Sequence, residues 1–177
     1  AELARLLAAR TGGHANVRFL TFKDYALGAA ERGPETERSL LPSRADEVVI
    51  RRLMEEGLAA GGYFSAIADA PGLSVALAAA IRDLKEACHT PGSLSDTART
   101  AGLLKSGRDC KFAELARIWK VYEARLEEGG WADTQDAMLA AARALETLRG
   151  GVSEGRPLRP LLLYGFYDLN ALQKRIV

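Results

Sequence analysis

A mainly α fold, a helical insertion flanked by fragments of a parallel α/β layer, follows from three features of this 177-residue chain. Between residues 35 and 156, apolar side chains recur at helical spacing in one segment after another. Before and after that stretch lie two runs of strand character, Asn16–Phe22 and Leu161–Tyr164, each leading into a helix. Polar, Gly- and Pro-containing breaks at Gly33–Arg38 and Gly150–Pro160 separate the parts. The expected division is therefore 1–34, 35–156 and 157–177.

The elements follow in order. Ala1 to Arg10 predicts a helix with Leu3, Leu6 and Leu7 on one face, ended by Thr11-Gly12-Gly13. Asn16 to Phe22 is β-branched and aromatic and reads as a short strand, and Lys23 to Ala30 as a short helix. Ser43 suits the cap of a helix through Leu58, with Asp46 and Glu47 where the helix dipole favours carboxylates. Pro71 suits the first position of the next helix, whose stripe is Leu73, Leu77, Ile81, Leu84 and Cys88. Pro91-Gly92 breaks it, and Ser93 is expected to cap a shorter helix to about Leu104. The longest helix, Cys110 to Glu128, buries Phe112, Leu115, Trp119, Tyr122 and Leu126 on one aromatic-rich face. Gly129-Gly130 ends it, and Asp133 or Thr134 caps a last insertion helix to about Leu148. Leu161 to Tyr164 runs apolar without alternation, as in a strand covered on both faces, and Asp168 is the expected cap of a closing helix with Leu169, Leu172 and Ile176. A helix at each end, the first without a cap, makes the chain look like a piece of something longer.

At 48% hydrophobic and 27% charged the chain can bury a core. A net charge of +1 creates no global field for nucleic acid or an anionic membrane, so such a contact needs a local patch. Two cysteines, Cys88 and Cys110, make no disulfide framework, and a reducing cytoplasmic setting is expected. No apolar run approaches the roughly 20 residues of a membrane span, so no membrane partner is expected.

Phe19-Leu20-Thr21-Phe22 and the helix after it resemble motif Ia of UvrD/Rep-type superfamily 1 helicases. The closing segment Leu161–Gln173 resembles their motif II, the Walker B strand of a P-loop NTPase-like layer, which reads apolar strand, Asp-Glu-x-Gln-Asp, helix with Gln. Aligned on Asp168 and Gln173, the family's Mg²⁺-binding Asp falls on Tyr164 and its catalytic Glu on Gly165. A strand ending in Gly-Phe here is similar to the AddB/RexB subunits of bacterial helicase-nucleases, whose motor is degenerate. The helical stretch matches the place of the family's 1B subdomain, and Ala113–Leu126 followed by Gly130-Trp131-Ala132-Asp133 looks like its pattern there. The resemblance implies a fragment of a DNA repair and recombination protein that guides DNA, as a single strand or duplex end, or scaffolds a complex with a partner helicase-nuclease subunit. The nuclease carboxylates of many AddB-like proteins would lie downstream of this chain.

The chemistry agrees. Nucleotide hydrolysis on such a layer needs a phosphate loop and an acid for Mg²⁺. No G-x-x-x-x-G-K-[ST] occurs, and Tyr164-Gly165 offers neither carboxylate. No ATPase activity and no cofactor are expected of this fragment; ATP and Mg²⁺ enter only if the parent keeps a motor.

Each candidate residue has a plain structural reading as well. Thr21 and Phe22 could offer a hydroxyl to phosphate and a ring to a base, or end a strand and pack in the core. Lys105, Arg108 and Lys111, with Arg99 before them, could contact phosphate or form a solvated loop; Arg156 and Arg159 share the ambiguity. Asp168 could touch a metal or simply cap a helix. Cys88, His89 and Cys110 are a weak metal signal, Cys88 being better read as a small buried hydrophobe. The alternative to the DNA-guiding fragment is a helical protein–protein interaction module with no nucleic-acid role.

Overall fold

A computed structural model describes residues 2–13, 17–30, 38–103, 111–150 and 161–177. Among them the order is α1 (Glu2–Thr11), α2 (Phe22–Ala30), β1 (Ser39–Leu40), α3 (Ala45–Glu55), a 3-10 turn at Ser65–Ile67, and α4 (Leu73–Glu86). Then come α5 (Pro91–Thr100), α6 (Lys111–Glu128), β2 (Trp131–Ala132), α7 (Thr134–Gly150) and α8 (Ala171–Ile176). The mainly helical prediction holds.

Two apolar cores organise these helices. The first gathers α3 to α6 around Ile50, Leu53, Leu77, Ile81, Trp119 and Tyr122. The α6 stripe read from sequence supplies much of it: Leu115, Trp119, Tyr122 and Leu126 are buried and Phe112 is half-buried. The second core joins α2, α7 and α8 through Ala26, Met138, Ala141, Ala142, Leu172 and Ile176. At six residues α8 is too short to stand alone in water. Burial of Leu172 and Ile176, roughly 1.5–3 kcal/mol each, holds it against α7.

Helix ends depart from expectation where turns compete. α3 stops at Glu55, not Leu58, because Gly57 takes a left-handed φ of 88°. Its N–H bonds Met54 and the Leu58 N–H bonds Leu53, closing the last turn. α4 closes in the same manner on Cys88, a non-glycine at φ 61°, with the His89 N–H on the Leu84 carbonyl. Cys88 therefore terminates the stripe instead of extending it, and packs half-buried against the second core. Arg44, not Ser43, occupies the cap position of α3, after a turn in which the Ala45 N–H bonds the Pro42 carbonyl. α4 starts at Leu73 because the preceding Ala70–Leu73 turn takes up Pro71. α5 begins at Pro91, where a missing N–H costs nothing, and ends at Thr100. Its cap is Thr90, and Ser93 is the reciprocal partner of that capping box rather than the cap.

The two predicted strands are corrections. Residues 17–20 and 161–164 lie in neither helix nor strand, and both stretches are exposed. A strand exists only through the ladder it shares with a neighbour, and among the described residues no strand lies beside either run. The one ladder there is parallel, Ser39 against Trp131 and Leu40 against Ala132. Backbone bonds from Ser39 to Gly130 (2.9 Å) and from Leu41 to Ala132 (2.8 Å) flank it. It pins the entrance of α3 to the α6–α7 turn. The flanking P-loop-like layer thus remains an expectation drawn from resemblance.

Candidate functional site

The two segments that carry the helicase resemblance meet in space. Thr21 precedes α2, and its hydroxyl donates to Asp24 Oδ2 at 2.6 Å while accepting the Asp24 N–H at 3.1 Å. Phe22 is half-buried against the second core and stands edge-on to Phe166, ring centres 5.6 Å apart. Tyr164 is exposed, and Gly165 turns the chain at φ 81°. An open cleft of about 320 Å³ follows, lined by Leu163, Phe166, Tyr167, Asp168, Leu169 and Lys174.

The cap of α8 is Asn170, not Asp168. Asn170 Oδ1 accepts the Gln173 N–H at 2.8 Å, and Gln173 Oε1 accepts the Asn170 N–H at 3.1 Å. Asn170 has an amide to spare for Glu86 Oε2 at 2.8 Å, which ties the cap to α4. Asp168 sits two residues too early; it accepts the Leu169 N–H and lies 3.5 Å from Lys174 Nζ. Lys111 is exposed at the first turn of α6. Lys105, Arg108, Cys110, Arg156 and Arg159 lie outside the described residues.

The most concentrated chemistry lies elsewhere, where α4, α6 and α7 converge. Lys85 Nζ is buried and meets three carboxylates: Asp133 at 2.6 Å, Glu123 at 2.6 Å and Asp136 at 2.7 Å. Tyr122 Oη donates to Asp133 Oδ2 at 3.1 Å, and Trp119 Nε1 donates to Glu123 Oε1 at 2.8 Å. Asp133 caps α7 as expected, its Oδ1 accepting the Asp136 N–H at 2.8 Å. Burial alone would lower the Lys85 pKa, but Asp133, Asp136 and Glu123 together hold it above the usual lysine value. Burial, and then the Asp133 carboxylate, raises the Tyr122 phenol. Burial likewise pushes Asp136 up to about 6, against the pull of Lys85 and with the help of Asp133 and Glu123. An ammonium with all three N–H groups engaged stabilises packing; it is not poised to attack or to shuttle protons at neutral pH.

Sequence reasoning missed this cluster apart from the Asp133 cap. One signal was present: Lys85 follows Ile81 by four residues and so falls within the buried arc of α4. The convergence of Glu123, Asp133 and Asp136 on it is tertiary and has no local signature.

A second buried carboxylate, Glu114, accepts the Phe64 N–H at 2.9 Å. It anchors the turn before the 3-10 segment to α6, and Arg117, beside it, reaches the Leu58 carbonyl. Among the described residues no group of three His, Cys, Asp or Glu side chains is placed to hold a metal ion. None of the helices there is long and apolar enough to cross a membrane.

No curated protein matches the chain. The model of the AddB N-terminal family matches residues 2–150, from the first helix through α7. The chain therefore belongs to the AddB N-terminal family.

Proposed function

We propose that this chain is part of an AddB-like protein of DNA repair and recombination, and that it guides DNA or scaffolds a complex without turning over nucleotide. The observation that carries the reading is the family match over residues 2–150. The donor set supports the non-hydrolytic part. At the positions aligned with the motif II acids stand Tyr164 and Gly165, which offer a neutral phenol and no side chain. The next carboxylate along the chain, Asp168, already has Lys174 beside it. These residues do not fit a Mg²⁺–nucleotide centre. The expected partners are DNA and a second helicase-nuclease subunit.

The contact to DNA would run through phosphate, with Lys111 as its described member and Lys105 and Arg108 beside it in sequence. The test is titration of the chain with single-stranded DNA and with blunt duplex at two salt concentrations. The expected result is weak, salt-sensitive binding that falls, with a shallower salt slope, on reversing the charge of Lys105, Arg108 and Lys111. Affinity and slope left untouched by that triple reversal would remove the basic segment from the reading.

A second reading, a helical protein-interaction module with no nucleic-acid role, is favoured by one observation. Leu162, Tyr164 and Tyr167 are exposed at 90%, 73% and 105%, three large side chains in one short run that a partner could cover. Absence of any DNA binding at low salt, together with capture of a partner subunit, would make it the better account.

A further inference from the structure

Lys85, Glu123, Asp133 and Asp136 sit where α4 and α6 meet the start of α7. α4 and α6 belong to the first core, and α7 belongs to the second. Three carboxylates around one ammonium leave two surplus negative charges where Lys85 and Asp133 are buried and Asp136 and Glu123 half-buried. The donors are unevenly shared. Asp133 receives Lys85, Tyr122 and the Asp136 N–H. Glu123 receives Lys85 and the Trp119 indole. Asp136 receives Lys85 and only a long bond, 3.3 Å, from the Asp133 N–H. It is the least compensated of the three, and so the one on which a proton is best placed.

Among the described residues, Lys85 is the cation that meets these three carboxylates. From α4 the groups facing the cluster are Lys85 and Glu86, the latter held by Gln135 at 3.2 Å and by Asn170 at the start of α8. From α6 they are Glu123 and Tyr122, and from α7 Asp133 and Gln135. α3 contributes Asp46, whose charge reaches Tyr122 and is itself paired with Arg82 at 2.8 Å. β2 brings Trp131 and Ala132, which carry no charge.

We propose that this cluster is a proton-sensitive latch between the two cores, closed by a proton on Asp136 in mild acid and loosened when that proton leaves. It stands on the geometry of the four side chains and does not depend on the DNA-guiding reading. An unfolded aspartate keeps the ordinary value of 3.8, whereas folded Asp136 is pushed up to about 6. Between those values the folded chain holds a proton that the unfolded chain has lost. The stability it contributes is complete below the lower value and is lost as pH rises through the higher one.

The experiment is a ¹³C-carboxyl NMR titration of Asp136 in the whole chain, paired with urea unfolding at acid and neutral pH. Wild type, Asp136→Asn and Glu123→Gln are compared. The expected midpoint lies near pH 6, and stability falls between the two pH values in wild type but several-fold less in D136N. E123Q removes a neighbouring negative charge and moves the Asp136 midpoint down. An Asp136 titration in the ordinary carboxylate range overturns the latch, as does a D136N variant that keeps the full pH dependence or a midpoint that ignores E123Q. Should D136N fail to fold, the wild-type and E123Q titrations decide.

Discussion

The face of α6 and the run Leu161–Tyr167 have much the same chemistry, Leu with Phe, Trp or Tyr, yet they meet opposite fates. Leu115, Trp119, Tyr122 and Leu126 are buried at the centre of the first core. Leu162, Tyr164 and Tyr167 face solvent. The difference is in the backbone. A helix bonds its own carbonyls and amides, so an apolar stripe needs only a neighbour of any kind. A strand must borrow its hydrogen bonds, and without a ladder its side chains have no plane on which to align. Apolar composition therefore says that a segment wants cover, but only a helix carries the means to stay ordered while it finds some.

Substitutions sharpen the comparison. The largest effect is expected in the packed region, from Lys85→Met. It leaves Glu123, Asp133 and Asp136 facing one another without their ammonium, at about 3–5 kcal/mol, read as a lowered urea midpoint. Adding Asp136→Asn to it should recover part of the loss, and strict additivity of the two changes would argue against a shared cluster. Next comes Gly62→Ala. A methyl there would collide with the Glu114 carboxylate and drive it off the Phe64 N–H. The expected cost is about 1–3 kcal/mol, and in a Glu114→Ala background, which clears the colliding group, Gly62→Ala should cost far less.

Asn170→Ala should cost about 1 kcal/mol, and the loss should be local. Amide exchange in α8 should quicken while that of α6 stays as it was. At the other extreme, Tyr167→Ser should leave stability within about 0.5 kcal/mol and improve solubility. A large destabilisation by Tyr167→Ser would break the comparison, because it would mean the closing run is packed after all.

How far the chain could be read in advance follows the same line. The stripes Leu73-Leu77-Ile81 and Leu115-Trp119-Tyr122-Leu126 were legible because period 3.6 is a property of one segment. The Asp133 cap was legible for the same reason. Helix ends at Glu55 and Thr100 were harder, since a left-handed residue can close a helix one turn before the apolar pattern runs out. Asp168 and Ser43 were plausible caps by residue type, but Asn170 and Arg44 hold those positions, and cap choice depends on where the preceding turn delivers the chain. The strands over Asn16–Phe22 and Leu161–Tyr164 failed because pairing is not a local property. Of the candidate site, Phe22 stands edge-on to Phe166, a contact that nothing local to either segment announces. The ion cluster went unseen because its members come from three helices.

The parallel pair between Leu40 and Ala132 has a bearing on kinetics. Two residues per strand contribute little pairing, yet they join points separated by everything from α3 to α6. Closing a loop of that length carries an entropic toll that only a prefolded interior can reduce. The pair is therefore set to form after α3 to α6 have docked, and to open first when the chain unfolds. The Ser39 and Leu41 amides, which bond across to Gly130 and Ala132, would then be the slowest to gain protection during refolding.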